Sequence, residues 1–435
     1  MIVRKFIQWS ENAPASARAE GVGTLARAYL YGEIKANERA EAEQMLYGVL
    51  DDPSPLVRRA LAESFAGALD APPAVVLGLA LDQSDIASLV LARSPLLNDA
   101  QLIDCAAVGD SVAQAAIALR HELSPAVGAA LAEIATREAL IALAVNEGAN
   151  LPEFAMRRMI ERFGDDAELR EALLGRPWIP GAVRAAIADA AARQLARHAV
   201  ARNWLSPARS ERVAKDSRER AAMIIAAGCA AFSEETAALA AYLRVSGQLT
   251  AGLALRALLC GQTGLFVATL VELTGLIPRR VEGIIREPAS TAFDALYARA
   301  GLPQPLLLAF RAALAALTGY SRGAPGEILE DGGLRLPVIE KVLAECEAAH
   351  DDGLARLIAL LRRFEADAAR EASRRTLARL RAEPAEWAAP PVSIAGPDAA
   401  PALQPQGKVE PMTEPLADTD IVVDLVALEK ELMAA

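Results

Sequence analysis

The sequence predicts an all-α fold, a solenoid of short helix pairs stacked in series, and three observations predict it. Hydrophobic residues fill 53% of the 435 positions but aromatics only 4%, so aliphatic side chains and alanine must build the core. Such a composition suits closely packed helices better than sheets, which favour aromatic and β-branched residues. Units of similar length recur, starting at Asp85, Asp110, Thr136 and Asp165, at spacings of 25, 26 and 29 residues. A second set follows, with Phe266 and Phe293 27 apart, Gly275 and Gly301 26 apart, and Pro278 and Pro303 25 apart. A unit of this size cannot bury its apolar face alone, whereas stacked neighbours can.

In chain order, residues 22–50 read as helices, with Leu25 and Tyr29, then Met45, Leu46 and Val49, at helical spacing. The string Asp51-Asp52-Pro53-Ser54-Pro55-Leu56-Val57-Arg58-Arg59-Ala60-Leu61 comes next. Ser54 suits a helix cap, because its hydroxyl accepts from an otherwise unpaired amide. Pro55 suits the first helical position, where no donor is needed. Val57, Leu61 and Phe65 then share one face. Each of the four units that follow predicts a short helix, a break, a capped entry and a second helix, as over 153–163 and 181–192.

Residues 193–220 read as a bridge rich in Arg193, Arg197, Arg202, Arg209, Arg212, Lys215, Arg218 and Arg220, with Ser206-Pro207 separating two longer helices. The period returns over 236–260, 262–287 and 288–316, where a first helix stops at glycine and a Leu-Ile-Pro or Leu-Pro entry starts the next. Leu334-Arg335-Leu336-Pro337 is a last, degraded entry to a helix over 338–347. One more helix is expected over 354–382, with Leu357, Leu361 and Phe364 on its apolar face. Between Pro384 and Pro415, 8 of 32 residues are proline, which predicts an extended, disordered linker. In the last segment, Ile421, Leu425, Leu428 and Leu432 stand at i, i+4, i+7 and i+11. They predict an amphipathic helix bordered by Asp420, Asp424, Glu429 and Glu431. The expected layout is therefore 1–192 and 221–350 as two repeat arrays, 193–220 as the bridge, 351–383 as a helix, 384–417 as linker and 418–435 as the acidic helix.

The string from Asp51 to Leu61 resembles a HEAT repeat, whose second helix often opens with an Asp, a Pro, a Val-Arg pair and an Ala. Gly264-Leu265-Phe266, Leu273-Thr274-Gly275-Leu276-Ile277-Pro278, Phe293-Asp294-Ala295-Leu296-Tyr297 and Ala300-Gly301-Leu302-Pro303 resemble an alphaproteobacterial family known as a domain of unknown function. That resemblance covers most of residues 20–350 and is strongest over 220–316. It implies a HEAT-like array of helix pairs and brings no activity or catalytic residues with it.

Several function classes are argued against. Lys and Arg number 45 and Asp and Glu 56, a net charge of −11, which disfavours a nucleic-acid binder. Cys105, Cys229, Cys260 and Cys346 form no C-x-x-C pair, and read as reduced small hydrophobes in a cytoplasmic protein. Residues 1–10 lack the apolar stretch of a signal peptide, and the longest uncharged apolar run, 257–271, is too short to span a membrane. His121, His198 and His350 lie in different units, so no metal site and no cofactor is expected. No phosphate-binding loop is present, and Gly21-Val22-Gly23 precedes no strand pattern. The pairs Asp51-Asp52, Asp165-Asp166 and Asp351-Asp352 stand beside helix starts, where carboxylates cap amides and complement the dipole. Arg58 reads either as a partner-binding residue or, as the HEAT resemblance implies, as one half of a pair with an Asp of the next repeat. The bridge arginines read as a solvated face diluted by Glu211, Asp216 and Glu219, with anion binding as the alternative.

The expected function is a non-enzymatic, protein-binding scaffold or regulatory adaptor. Residues 384–435 hold 9 acidic and 2 basic side chains, so the candidate partner-binding residues Ile421, Leu425, Leu428 and Leu432 stand in an acidic setting. They suit helix-in-groove recognition, either of a protein partner or within the same molecule. The alternatives are a helical-repeat enzyme or binder acting on nucleic acid, which would need a contiguous basic face, and a small-ligand sensor.

Overall fold

Helices shorter than about 12–15 residues are marginal in water, so a chain of short helices persists only by packing them on one another. The computed structural model describes residues 9–10, 12–32, 36–230, 233–323, 332–349 and 354–382. The chain divides into two units, Met1–Ala378 and Arg379–Ala435, and only residues 379–382 of the second are described. The proline-rich segment 384–417 and the positions Ile421, Leu425, Leu428 and Leu432 lie outside the described residues, as do His350 and the pair Asp351-Asp352.

The described residues are helical, with no β-strand among them. α1 (Ala15–Tyr31), α2 (Ala36–Val49), α3 (Pro55–Phe65) and α4 (Pro73–Ala80) come first. Four pairs follow at the expected period: α5 (Ser84–Arg93) with α6 (Asp99–Val108), α7 (Ser111–Ala118) with α8 (Pro125–Ile134), α9 (Arg137–Val145) with α10 (Glu153–Phe163), and α11 (Ala167–Leu174) with α12 (Gly181–Ala201). After α13 (Pro207–Ala227) the pairs resume as α14 (Glu234–Val245) with α15 (Ala251–Leu259) and α16 (Thr263–Thr274) with α17 (Pro278–Ile285). α18 (Thr291–Arg299) leads through a 3-10 turn, Gln304–Leu306, into α19 (Leu307–Gly323), and α20 (Leu336–Ala348) and α21 (Ala355–Ala382) complete the order. The stretch read as a bridge is the facing ends of α12 and α13, both of 21 residues, folded into one antiparallel hairpin.

The helices stack in two rows. α1, α3, α5, α7, α9 and α11 each pack on the next, while α6, α8, α10, α12, α14, α16 and α18 form the other row. Each pair thus covers the apolar faces of the pair before and the pair after, which is the helical-repeat arrangement. The buried apolar side chains fall into two clusters, one from Ala19 to Ala190 and one from Ala185 to Ala368. Phe266, Phe293, Tyr297 and Phe310 anchor the second: Phe266 stacks on Phe310 at 5.6 Å and Tyr297 meets Phe310 edge-on at 5.4 Å. The Tyr297 hydroxyl donates to the Pro303 carbonyl at 2.7 Å, which lets a buried phenol keep its hydrogen bond.

Local chemistry sets the helix ends. Asp110 accepts from the amides of Val112 and Ala113, both at 3.0 Å, and Asp166 accepts from that of Leu169 at 3.0 Å. Asn98 and Gln101 form a reciprocal capping box. Gly275 and Gly301 both take φ of 69°, the left-handed conformation in which glycine meets no Cβ penalty, and they end α16 and α18 where the sequence expects a stop. Ser54 occupies the N-cap position of α3, but its hydroxyl makes no capping bond. The turn is held instead by the Asp52 carboxylate, which accepts from the Ser54 amide at 2.9 Å and from Arg18, also at 2.9 Å.

Candidate functional site

Arg58 resolves in favour of the pairing within the fold. Its guanidinium donates to both Asp82 carboxylate oxygens, at 2.7 and 3.0 Å, and to the Asp52 carbonyl at 2.7 Å. Burial by itself would raise the Asp82 pKa, but the Arg58 hydrogen bonds, the Gln83 amide and the Arg58 charge together hold it below the usual carboxylate value. Arg18 with Asp52 and Arg137 with Asp166 repeat the scheme, each joining a helix to the entry of the next helix in its row. Arg58→Lys supplies one charge but not the planar fork, so an equilibrium unfolding experiment is expected to show a loss of about 1–2 kcal/mol.

A second polar framework joins helix ends along the first row. Arg120 donates to the carbonyls of Leu91 and Ser94 at 2.6 and 2.7 Å. Asn146 donates to those of Ala118 and Arg120, both at 2.7 Å. Arg176 donates to those of Ala144, Asn146 and Ala149 at 3.0, 2.9 and 2.7 Å. Each residue follows the end of one helix and satisfies the open carbonyls at the end of the previous one, groups that otherwise lack partners. In the other row Arg162, within the last turn of α10, reaches the carbonyls of Ala132 and Ala135, both at 2.8 Å. The parallel bridge between Leu123 and Ala149 ties the entries of α8 and α10.

The bridge residues divide by position. Towards the base of the hairpin, Arg218 pairs with Asp189 and Glu211, and Arg220 pairs with Asp216 and reaches towards Asp367. Asp216 and Glu219, read from the sequence as diluting a basic face, instead neutralise Arg256, which is only 2% exposed, at 2.8 and 3.1 Å. Towards the hairpin end, Arg193 pairs with Asp189 and Arg197 with Asp165. Among the described residues no carboxylate pairs with Arg202, Arg209 or Arg212, and Arg212 donates only to the Ala208 carbonyl of its own helix.

The remaining reactive side chains are separated. His121 is exposed on the loop before α8, and His198 packs edge-on against Trp204 near the hairpin end. Among the described residues no three His, Cys, Asp or Glu side chains are grouped to hold a metal ion. None of the four cysteines forms a disulfide. Burial pushes the Cys229 thiol up to about 11, with the charge of Glu235 adding to it, and pushes Cys346 up to about 11. Both are therefore thiols near neutral pH, not the thiolate that nucleophilic chemistry uses. Among the described residues no helix is long and apolar enough to cross a membrane.

What the stacked pairs leave open is a set of apolar side chains at equivalent helix ends. Leu119, Val145 and Leu174 stand at the ends of α7, α9 and α11, each more than half exposed and each one or two residues before Arg120, Asn146 or Arg176. The arginine and asparagine turn inward to the carbonyls while the preceding aliphatic side chain faces solvent, once per unit.

No curated protein and no solved structure matches the chain. A model of a family described as an uncharacterised protein conserved in bacteria, DUF2336, matches residues 86–350, more than half of the chain. That span begins within α5 and ends just beyond α20, and so takes in the carbonyl-capping series, the long hairpin and the aromatic cluster. The chain belongs to the DUF2336 family of bacterial proteins.

Proposed function

We propose that the protein is a non-enzymatic, protein-binding scaffold or regulatory adaptor whose HEAT-like helix pairs present a recognition surface. One observation carries this reading: Leu119, Val145 and Leu174 repeat, exposed, at the same place in three successive units. Isolated exposed aliphatic residues are ordinary on any protein surface, but a row in register along stacked pairs gives an extended partner regularly spaced apolar contacts. Arg120, Asn146 and Arg176 beside the row are already engaged in holding pair to pair, so the aliphatic side chains stand free of them for contact with a partner. Ile421, Leu425, Leu428 and Leu432 would add a second contact element on a proline-rich tether.

Photo-cross-linkable residues at 119, 145 and 174 test the reading in cells. A common protein partner captured from all three positions, and weakened by Leu119→Ala, Val145→Ala and Leu174→Ala without loss of helicity, is the expected result. Capture of no protein, or of partners indifferent to the three truncations, overturns it.

A further inference from the structure

The end of the α12–α13 hairpin brings arginines and exposed apolar side chains together. Both helices run 21 residues, against 8 for α11 and 12 for α14, so their facing ends extend past the neighbours that bury their other halves. Residues 193–213 hold five arginines and one glutamate in a chain of net charge −11. Trp204 and Leu195 are each 69% exposed, and Val213 is half exposed. Leu195 and Val213 lie within the two turns that adjoin the connection, so the apolar and cationic groups share one end of the hairpin.

This end is also fixed in shape. Asn203 takes φ of 57°, a left-handed conformation that asparagine tolerates better than other side-chain-bearing residues. Its amide donates to the Val200 carbonyl at 2.9 Å and that of Trp204 to the Ala199 carbonyl at 2.9 Å, the paired bonds that close a helix firmly. Ser206 caps the start of α13, and the Ser210 hydroxyl crosses to the Ala196 carbonyl at 2.8 Å. The Trp204 ring meets His198 edge-on at 5.6 Å. A large side chain held this way loses little freedom on binding, which is what makes tryptophan and arginine the dominant residues of protein interfaces.

We infer that the hairpin end is a docking knob for an acidic, amphipathic segment of a protein partner. The apolar side of such a segment would lie on Trp204, Leu195 and Val213, and its carboxylates would meet Arg202, Arg209 and Arg212. Charge complementarity selects this occupant: these three arginines face no carboxylate within the described residues, although acidic side chains outnumber basic ones in the chain. Unpaired positive charge around a rigid aromatic anchor both steers an acidic partner and discriminates against a basic one. The inference rests on the protein-binding reading above but uses a different surface, so the two fail separately.

The test is fluorescence anisotropy of full-length protein, carrying Leu425→Lys and Leu428→Lys so that its own segment does not compete, with a labelled synthetic peptide that has the sequence of residues 416–435, a probe of the required chemistry. Saturable binding is expected, weakening as salt is raised. Trp204→Ala and the pair Arg202→Glu with Arg209→Glu are each expected to weaken it about tenfold or more. A peptide with its acids replaced by lysine should not bind. Circular dichroism and the melting temperature of the variants should match the parent, since the three side chains are exposed. No saturable binding at millimolar peptide, or equal binding by parent and variants, overturns the inference, whatever is cross-linked at 119, 145 and 174. So does tip-dependent binding to phosphatidylserine vesicles with none to the peptide, which would assign the knob to an anionic lipid surface.

Discussion

Arg256→Ala is expected to destabilise the junction of α13, α15 and α21 by about 3 kcal/mol. Arg256 projects from an otherwise apolar helix, Ala251–Leu259, into the second core. Its guanidinium meets Asp216 and Glu219 at 2.8 and 3.1 Å and lies 5.4 Å from the centre of the Phe364 ring. Arg220 extends the network, pairing with Asp216 at 2.9 Å and approaching Asp367 of α21 at 3.6 Å. Truncation removes the shared cation and leaves two carboxylates, each less than a quarter exposed, facing one another. Removing one member of a buried ionic set costs more than the set itself contributes, because the survivors stay desolvated, here with Arg220 left on Asp216 and, among the described residues, only Lys215, at 3.9 Å, left near Glu219. Arg256→Met with Asp216→Asn and Glu219→Gln should therefore recover part of the loss, which a multiple-mutant cycle in urea unfolding measures.

Acid should erase the same difference. Burial acts to raise the Asp216 pKa, but the hydrogen bond from Arg256 and the charges of Arg256, Arg220 and Arg363 outweigh it and leave it depressed. A depressed carboxylate contributes stability that is present above its unfolded pKa, about 3.9, and is lost as pH falls through the lower folded value. The gap in unfolding midpoint between the parent and Arg256→Met is thus expected to be full at neutral pH and to narrow as acid protonates the carboxylates, first in the variant, where Arg256 no longer opposes the effect of burial on Asp216.

The second large effect is expected at Arg176. Arg176→Ala leaves the carbonyls of Ala144, Asn146 and Ala149 without their shared donor at the end of α9. Burial pushes the Arg176 pKa down from its ordinary value, yet a guanidinium so far above neutral pH keeps its charge. Loss of charged hydrogen bonds to part-buried carbonyls is expected to cost about 2–3 kcal/mol. Arg176→Lys should recover little, because one ammonium cannot span three acceptors that the planar fork meets from two nitrogens.

The contrast between these residues shows what the sequence made legible. The period, the caps at Asp110 and Asp166, the prolines at helix starts and the glycine stops all depend on local chemistry, and neighbouring residues declare it. Arg58 could be matched to an aspartate through the HEAT resemblance, which implies that partner. Arg120, Asn146 and Arg176 escaped notice because their acceptors are backbone carbonyls, which every position carries, and because arginine and asparagine serve interchangeably. Arg256 escaped because its partners stand 40 and 37 residues earlier, on a segment whose excess of arginine drew attention away from its acids. The hairpin end was visible only as composition; which arginines remain unpaired is decided by the meeting of α12 with α13.

Helix pairs are fastened each to the next, so a lost fastening acts locally. Hydrogen exchange on full-length Arg176→Ala tests this most directly. The expected result is lost protection in α9 and α11, residues 137–174, with α14 to α19 exchanging as in the parent. An equal fall in protection across both cores, or none at all, would contradict it.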